Sequence, residues 1–210
     1  MKYPVFARAK RAMEVVAEDS GISLIPVYTN MRHLCDDRSH GLDYFFGAVL
    51  AAVGHAFSSR INLLYLASSF DLPNLVPCGS HPLLDPEYSS YRLRIRHSHV
   101  AKSRMAKLKI VSEWDAAFQN LRVCLANVPD QLNCGKCEKC VRTMLGFVGL
   151  GVLDKTRAFV ENDVTTDMLL PFKITIRHRP PFYQELLAPL RTRGRDDLVT
   201  LIEQKLSEKK

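Results

Sequence analysis

Apolar residues recur along the first two thirds of the chain at the spacings of helices and strands. Ala9, Ala12 and Val16 share one helical face and predict a helix over residues 7–20, which Gly21 ends. Residues 61–68 form a continuous apolar run of strand length, which is typical of a parallel strand covered on both faces. Further strands are predicted at residues 23–28, 92–96 and 121–124, and further helices at residues 42–57 and 100–114.

This alternation of strands and helices favours an α/β fold with an open, mostly parallel sheet and helices on both faces. After Gly151 the pattern weakens, and several prolines interrupt a basic region that ends in a predicted helix over residues 196–207. We therefore expect an α/β domain over residues 1–155 and a basic, mainly helical C-terminal appendage over residues 156–210.

The composition is that of a soluble globular protein, because 47% of the 210 residues are hydrophobic and 24% are charged. No apolar run reaches the roughly 18 residues that a membrane span requires. The first residues do not follow the pattern of a secretory signal, since a charged stretch begins at Arg8. We expect a cytoplasmic protein with no membrane partner.

The net charge of +7 is unevenly distributed. The segment from Tyr91 to Lys109 carries seven Lys or Arg residues and no Asp or Glu. A basic stripe of this kind suits phosphate, a nucleotide or nucleic acid. A solvated basic face is the alternative interpretation.

Four of the six cysteines lie within 17 residues, and they are Cys124, Cys134, Cys137 and Cys140. Such crowding in a cytosolic chain favours a metal site over disulfide bonds. Four thiolates close a tetrahedral structural zinc site, and Gly135 allows the tight turn that brings neighbouring thiolates together. Lys136, Lys139 and Arg142 offset the negative charge of such a centre.

An iron–sulfur cluster is the alternative to zinc, because C-x2-C-x2-C is also the ferredoxin-type run. That run continues to a fourth cysteine followed by proline, whereas this chain has Met144 at that position. A [4Fe–4S] cluster that recruits Cys124 as its fourth ligand stays open as an alternative. The isolated Cys35 and Cys78 are interpreted as simple buried thiols.

The cysteine segment resembles the zinc site of the 7-cyano-7-deazaguanine synthase family, in which a lone cysteine precedes C-G-K-C-x-x-C at the start of a helix. Residues 107–111 (KLKIV) resemble the helix start that precedes the zinc cysteines there, with Lys109 in place of a glutamate. A group of PP-loop-like proteins is similar over residues 26–32, 40–41, 79–85 (GSHPLLD) and 133–144. The resemblance covers about residues 5–150.

This resemblance implies the PP-loop ATP pyrophosphatase superfamily, with an adenine-nucleotide α-hydrolase fold and one structural Zn²⁺. In that superfamily ATP activates a carboxylate or carbonyl oxygen as an adenylate, and ammonia or another nucleophile displaces AMP. Members hold ATP with an S-G-G-x-D-S loop, but this chain has no Gly-Gly pair and no Walker-type motif.

We therefore expect the zinc-binding, C-terminal part of an ATP-dependent adenylating ligase that is not catalytic alone. ATP and Mg²⁺ bind only if an N-terminal half or a partner chain supplies the loop. A gene fragment, one subunit of a split protein and a degenerate descendant all fit this expectation. The alternative function is a non-catalytic zinc module that docks nucleic acid or a protein through the basic face.

Six residues are candidates for binding the substrate or its phosphates: Arg32, His81, Asp85, His97, Arg104 and Lys107. Several follow predicted strands, and ligands bind beyond the carboxyl ends of parallel strands. Lys102, Arg104 and Lys107 lie towards the start of the helix predicted over residues 100–114, where cations are unfavourable beside the helix dipole, and their presence there favours an anionic partner. The alternative is that these residues form ordinary turns or are solvated surface cations, and that they bind no ligand.

Overall fold

A computed structural model describes residues 3–31, 44–176 and 179–208 of the chain. The chain divides into two compact units. One consists of Met1–Pro26 and Met105–Lys210, and the other of Val27–Arg104. We call them the cysteine unit and the sheet unit, after the four clustered cysteines and the two strands that they contain.

The helices and strands of the described ranges follow one another from the N-terminus to the C-terminus. The first six are α1 (Tyr3–Ser20), α2 (Phe46–Ala56), β1 (Leu63–Ala67), β2 (Arg94–Ser98), α3 (Arg104–Ser112) and α4 (Asp115–Gln119). The remaining four are α5 (Glu138–Leu150), α6 (Thr166–Leu169), α7 (Arg179–Thr192) and α8 (Asp196–Ser207). Short 3-10 helices cover Leu72–Asn74, Asp85–Tyr88 and Leu153–Lys155.

In the sheet unit, β1 and β2 run parallel, with Leu66 beside His97. One face of this two-stranded sheet packs on α2, which is apolar nearly all round and contains Gly54. A Cβ at Gly54 would meet Leu64 Cδ2 at 2.6 Å, so the glycine allows the helix and the sheet to approach closely. The buried residues of this small core are Ala51, Leu66, Leu93 and Ile95.

In the cysteine unit, α5 is the central helix, because nine of its 13 residues are buried. It packs against α7 at Gly149, where an added Cβ would meet Pro189 Cβ at 2.8 Å. Gly151 ends α5 in the left-handed conformation, with a φ of 71° that favours glycine. Residues from α7 and α8, including Leu190 and Ile202, complete the same core.

The predicted helices at residues 7–20, 42–57, 100–114 and 196–207 are confirmed over the described residues, outside which residues 42 and 43 lie, and α3 is shorter than expected. The boundary expected at residue 155 falls inside the cysteine unit, where residues on both sides of it share one core. Among the helices in the described ranges, none combines the length and the apolar character needed to cross a membrane.

Two of the four predicted strands form, as β1 and β2, and they lie parallel as expected. The strand predicted at residues 23–28 is wrong: Leu24 and Ile25 are exposed, Pro26 lacks an N–H group, and the segment is irregular. The strand predicted at residues 121–124 is also wrong, because a side chain takes up its backbone N–H groups. The fold is thus a helix-rich mixture with a small parallel sheet, and the wide sheet with helices on both faces stays a prediction.

Candidate metal centre

The four clustered cysteines converge at the start of α5. Cys124 lies in the irregular segment after α4, Cys134 and Cys137 lie in the loop before α5, and Cys140 lies in the first turn of that helix. Cys124 and Cys140 are buried, at 1% and 0% exposure, while Cys134 and Cys137 are partly buried. An irregular segment, a loop and the first turn of a helix therefore bring the four sulfur ligands into one pocket.

The distances between the sulfur atoms fit a single metal ion. All four Sγ atoms lie within 4.8 Å of one another. The Sγ atom of Cys137 lies 3.8 Å from that of Cys124 and 3.4 Å from that of Cys140, and Cys134 and Cys140 are 3.9 Å apart. Four thiolates that share one tetrahedral zinc ion at about 2.3 Å lie about 3.8 Å from one another. The four cysteines thus lie close enough to bind one metal ion.

Backbone N–H groups support two of the sulfur atoms. Ala126 N donates to Cys124 Sγ at 3.2 Å, and Cys137 N donates to Cys134 Sγ at 3.3 Å. Hydrogen bonds of this kind stabilise a thiolate more than a thiol. They fix the direction of each sulfur before a metal binds.

The four thiols differ in how readily they ionise. Burial raises the pKa of Cys134, but hydrogen bonds from the backbone of Lys136, from the Cys124 side chain and from Cys137 outweigh it and lower that pKa to about 7. Burial, with added repulsion from neighbouring cysteines, raises the pKa of Cys137 and of Cys140. A metal that binds here displaces protons from the thiols whose pKa is raised. Metal binding therefore weakens as the pH falls.

The turn between Cys134 and Cys137 depends on glycine. Gly135 has a φ of 68°, in the left-handed region that is unfavourable for other residues. A Cβ there would also collide with the carboxylate of Glu161. The sequence prediction that Gly135 allows this turn is confirmed.

Asn133 connects the two halves of the cysteine cluster, and its role was not identified from the sequence. Its Oδ1 accepts hydrogen bonds from Val123 N at 2.8 Å and Cys124 N at 3.2 Å. Its Nδ2 donates to Leu121 O at 2.8 Å and Ala158 O at 2.9 Å. The Asn133 side chain is buried. Its hydrogen bonds hold the Cys124 segment in position and replace those that a neighbouring strand would otherwise make.

The three cations near the cluster have different surroundings. Lys136 and Lys139 are exposed. Arg142 is buried, pairs with Glu138 at 3.3 Å and lies 4.6 Å from the ring centre of Phe182. Arg142 therefore stabilises the start of α5 through these contacts as well as through its charge.

Comparisons of the chain with family models, with curated proteins and with solved structures found no match. Membership of the PP-loop superfamily stays a prediction on the residues quoted above. The positions of the four sulfur atoms, their burial and their hydrogen bonds nevertheless fit a metal site.

Three of the substrate-binding candidates meet in the sheet unit around Asp85, which is fully buried. Its carboxylate accepts hydrogen bonds from Ser80 Oγ at 2.7 Å and from His81 N at 3.2 Å, and lies 2.6 Å from His97 Nδ1. The His97 side chain is only 4% exposed, and its Nε2 has no hydrogen-bond partner among the described residues. Gly47 of α2 packs directly against this cluster.

The remaining candidates lie elsewhere. Arg104 and Lys107 are partly buried at the start of α3. Arg32 falls outside the described residues, as does Cys35. The contact between Ser80 and Asp85 is not predicted from the GSHPLLD segment, in which the short spacing of serine and aspartate in a turn is the only signal for it.

Asp85→Ala is expected to destabilise the sheet unit by about 3–5 kcal/mol, because it leaves the buried donors of Ser80, His81 and His97 without their acceptor. Urea unfolding followed by fluorescence and circular dichroism measures this loss. Asp71→Ala is the matched control, since Asp71 accepts one local side-chain hydrogen bond and its loss is expected to cost about 1 kcal/mol. Equal losses for the two variants would contradict the role assigned to Asp85.

Proposed function

We propose that this chain is the zinc-binding part of an ATP-dependent adenylating ligase of the PP-loop type. The observation that supports this most strongly is the group of four sulfur atoms within 4.8 Å at the start of α5, in a segment that reads C-G-K-C-x-x-C. Four thiolates without an open position favour zinc in a structural role. Iron held as a cluster is less well supported, since ligands to separate iron atoms lie farther apart than ligands to one ion.

In this proposal the metal organises the protein and does not take part in the reaction. Cys124, Cys134, Cys137 and Cys140 would hold one Zn²⁺, and the ion would fix the entry to α5. Substrate and phosphate groups would be bound by the basic and polar candidates: Arg32, His81, Asp85, His97, Arg104 and Lys107. ATP and Mg²⁺ require a glycine-rich loop from an N-terminal half or a partner chain.

The chain alone is expected to bind ATP no more tightly than millimolar and to release no pyrophosphate. PP-loop proteins neutralise the triphosphate mainly with backbone N–H groups of a glycine-rich turn. Contacts with Arg104 and Lys107 contribute only about 1 kcal/mol each, whereas a millimolar complex already needs about 4 kcal/mol. Calorimetry with ATP and a pyrophosphate-release assay on zinc-loaded protein measure both properties.

Addition of a polypeptide that carries the S-G-G-x-D-S loop is expected to restore pyrophosphate release. Arg104→Ala and Lys107→Ala should then lower the rate without releasing zinc. Lys109→Ala is the matched control, because Lys109 is exposed on the same helix and only approaches Glu113, at 4.0 Å. Micromolar ATP binding and pyrophosphate release by the chain alone would show that this chain contains a nucleotide site of its own. A pair of the chain and the loop-bearing polypeptide that releases no pyrophosphate would refute the ligase proposal.

A second candidate function is the docking of nucleic acid on the basic stripe. Arg94 and Arg96 of β2 are exposed on the same face of the sheet as Tyr65, which lies beside Arg96 and is 57% exposed. An aromatic ring beside an arginine suits a single strand, because bases stack on the ring and phosphates bind the cation. Affinity that falls steeply with rising salt would distinguish this function from the ligase.

A further inference from the structure

A cavity of about 280 Å³ lies in the cysteine unit, apart from the sulfur ligands. Its lining residues come from α1, from the end of α4, from residues 130–133 before the metal loop and from residues 157–160. All of them belong to the cysteine unit and to the described part of the chain. The volume lies just below the roughly 300–1,000 Å³ of sites for drug-sized ligands, so the cavity suits a small molecule.

Two arginines line this cavity, and neither is neutralised by a described carboxylate. Arg8 of α1 donates from Nη2 to Val128 O at 2.7 Å, which leaves further guanidinium N–H groups for a ligand. Arg157 is exposed, and its guanidinium makes no hydrogen bond with the described residues. No ion pair within 4.0 Å joins either arginine to an acidic side chain in the described ranges. Both positive charges are therefore available to an anion.

The backbone of the cavity wall supplies further hydrogen-bond donors. The N–H groups of Asp130, Gln131 and Leu132 donate to none of the described residues. Asp130 has a φ of 59°, in the left-handed region. Successive N–H groups in a turn of this kind form concavities that bind anions. The cavity thus combines backbone donors with two guanidinium groups.

Hydrogen bonds hold the wall of the cavity in place. Gln119 Nε2 donates to Lys155 O at 2.9 Å, and Gln119 Oε1 accepts from Arg157 N at 2.9 Å. Asn133, another lining residue, is fixed by the four hydrogen bonds that position the Cys124 segment. A ligand that enters this cavity therefore orders few protein groups, which favours its binding.

We propose that this cavity binds a small phosphate monoester. Guanidinium and backbone N–H groups are typical partners of phosphate oxygens in proteins. A phosphate ion alone leaves much of the 280 Å³ unfilled, and Leu132, Phe159 and Val160 give the cavity an apolar part that suits a ring or a short chain. The cavity is too small to enclose a nucleoside triphosphate. This inference therefore does not depend on the proposed function.

The single acidic side chain among the lining residues, that of Asp130, allows the sign of the ligand's charge to be tested. Its carboxylate repels an anion, although the two arginines outweigh it. Asp130→Asn removes the charge and keeps a side chain that tolerates the left-handed backbone. We expect this variant to bind a phosphate monoester about two- to fivefold more tightly. Weaker or unchanged binding would contradict an anionic ligand in this cavity.

Titration of the zinc-loaded full chain with phenyl phosphate, followed by ¹H–¹⁵N NMR spectra, locates the site. The amides of Asp130, Gln131 and Leu132 are expected to shift together as the ligand is added. Inorganic phosphate and benzoate should bind more weakly, because the first lacks the apolar group and the second lacks the phosphate. Shifts confined to other residues, or benzoate that binds as tightly as phenyl phosphate, would overturn the proposal.

Arg157→Gln is expected to weaken the binding of phenyl phosphate about fivefold, because one charged contact is lost. Lys155→Gln is the matched control, since Lys155 is an exposed cation two residues away that does not line the cavity. The control keeps the carbonyl that Gln119 binds and should leave the affinity unchanged. Equal weakening by both variants would show attraction to the positive surface in general and would refute the site.

Discussion

Cys140→Ser is expected to abolish metal binding and to unfold the cysteine unit. Cys140 is fully buried, lies in the first turn of the central helix, and its sulfur is within 3.9 Å of the sulfurs of Cys134 and Cys137. Binding of structural zinc contributes about 10–16 kcal/mol in small zinc domains. Since whole domains are stable by only about 5–15 kcal/mol, loss of the metal removes most of the stability of this unit.

Metal content by elemental analysis and resistance to proteolysis measure this loss. Cys78→Ser is the matched control, because Cys78 is partly buried in the sheet unit and its thiol donates to a local carbonyl, that of Ser80. It should keep one metal ion per chain. Cys134→Ser gives a second test if Cys140→Ser does not accumulate, since Cys134 is partly exposed. A folded Cys140→Ser variant with full metal content would refute the four-ligand site.

Asn133→Ala is expected to destabilise the cysteine unit by about 3–5 kcal/mol, because four buried or partly buried backbone groups lose their partner at once. Substitution of a residue that orients a metal ligand typically lowers the metal affinity by about 10- to 100-fold. We therefore expect the Asn133→Ala variant to lose zinc at a chelator concentration about 10- to 100-fold lower than the unsubstituted chain does. Both effects follow from the same cause, the release of the Cys124 segment from the loop before α5.

Asn120→Ala is the control for this variant. Asn120 is buried to a similar extent, at 8% exposure, but it makes one local hydrogen bond, to Ala116 O. Its loss should cost about 1 kcal/mol and leave the metal affinity unchanged. If Asn133→Ala and Asn120→Ala had the same effect on zinc retention, Asn133 would have no specific role in positioning Cys124.

Local patterns in the sequence were sufficient to predict α1, α2, α3 and α8, four of the eight α-helices in the described residues, and the cysteine cluster. The spacing of Cys134, Cys137 and Cys140 brings three sulfur atoms together within two turns of chain, and the apolar periodicity of residues 7–20 and 196–207 is a property of single helices. Gly135 could be interpreted in the same way, because its left-handed turn involves only its neighbours.

Contacts between distant residues explain what the sequence did not predict. Residues 121–124 have strand-like composition, but the Asn133 side chain takes their N–H groups, and a composition pattern contains no information about that partner. The Asp85 cluster likewise joins β2 to the start of a 3-10 helix 12 residues earlier. The predicted strand at residues 23–28 failed because β propensity requires a neighbouring strand, and the described residues provide none for it.

Cys124, Cys134, Cys137 and Cys140 lie close enough to hold one metal ion, and we propose that this ion is zinc. Elemental analysis combined with X-ray absorption spectroscopy on the purified chain tests it most directly. We expect about one zinc per chain, surrounded by four sulfur atoms at about 2.3 Å. Iron with inorganic sulfide, or a zinc ion with fewer than four sulfur neighbours, would contradict it.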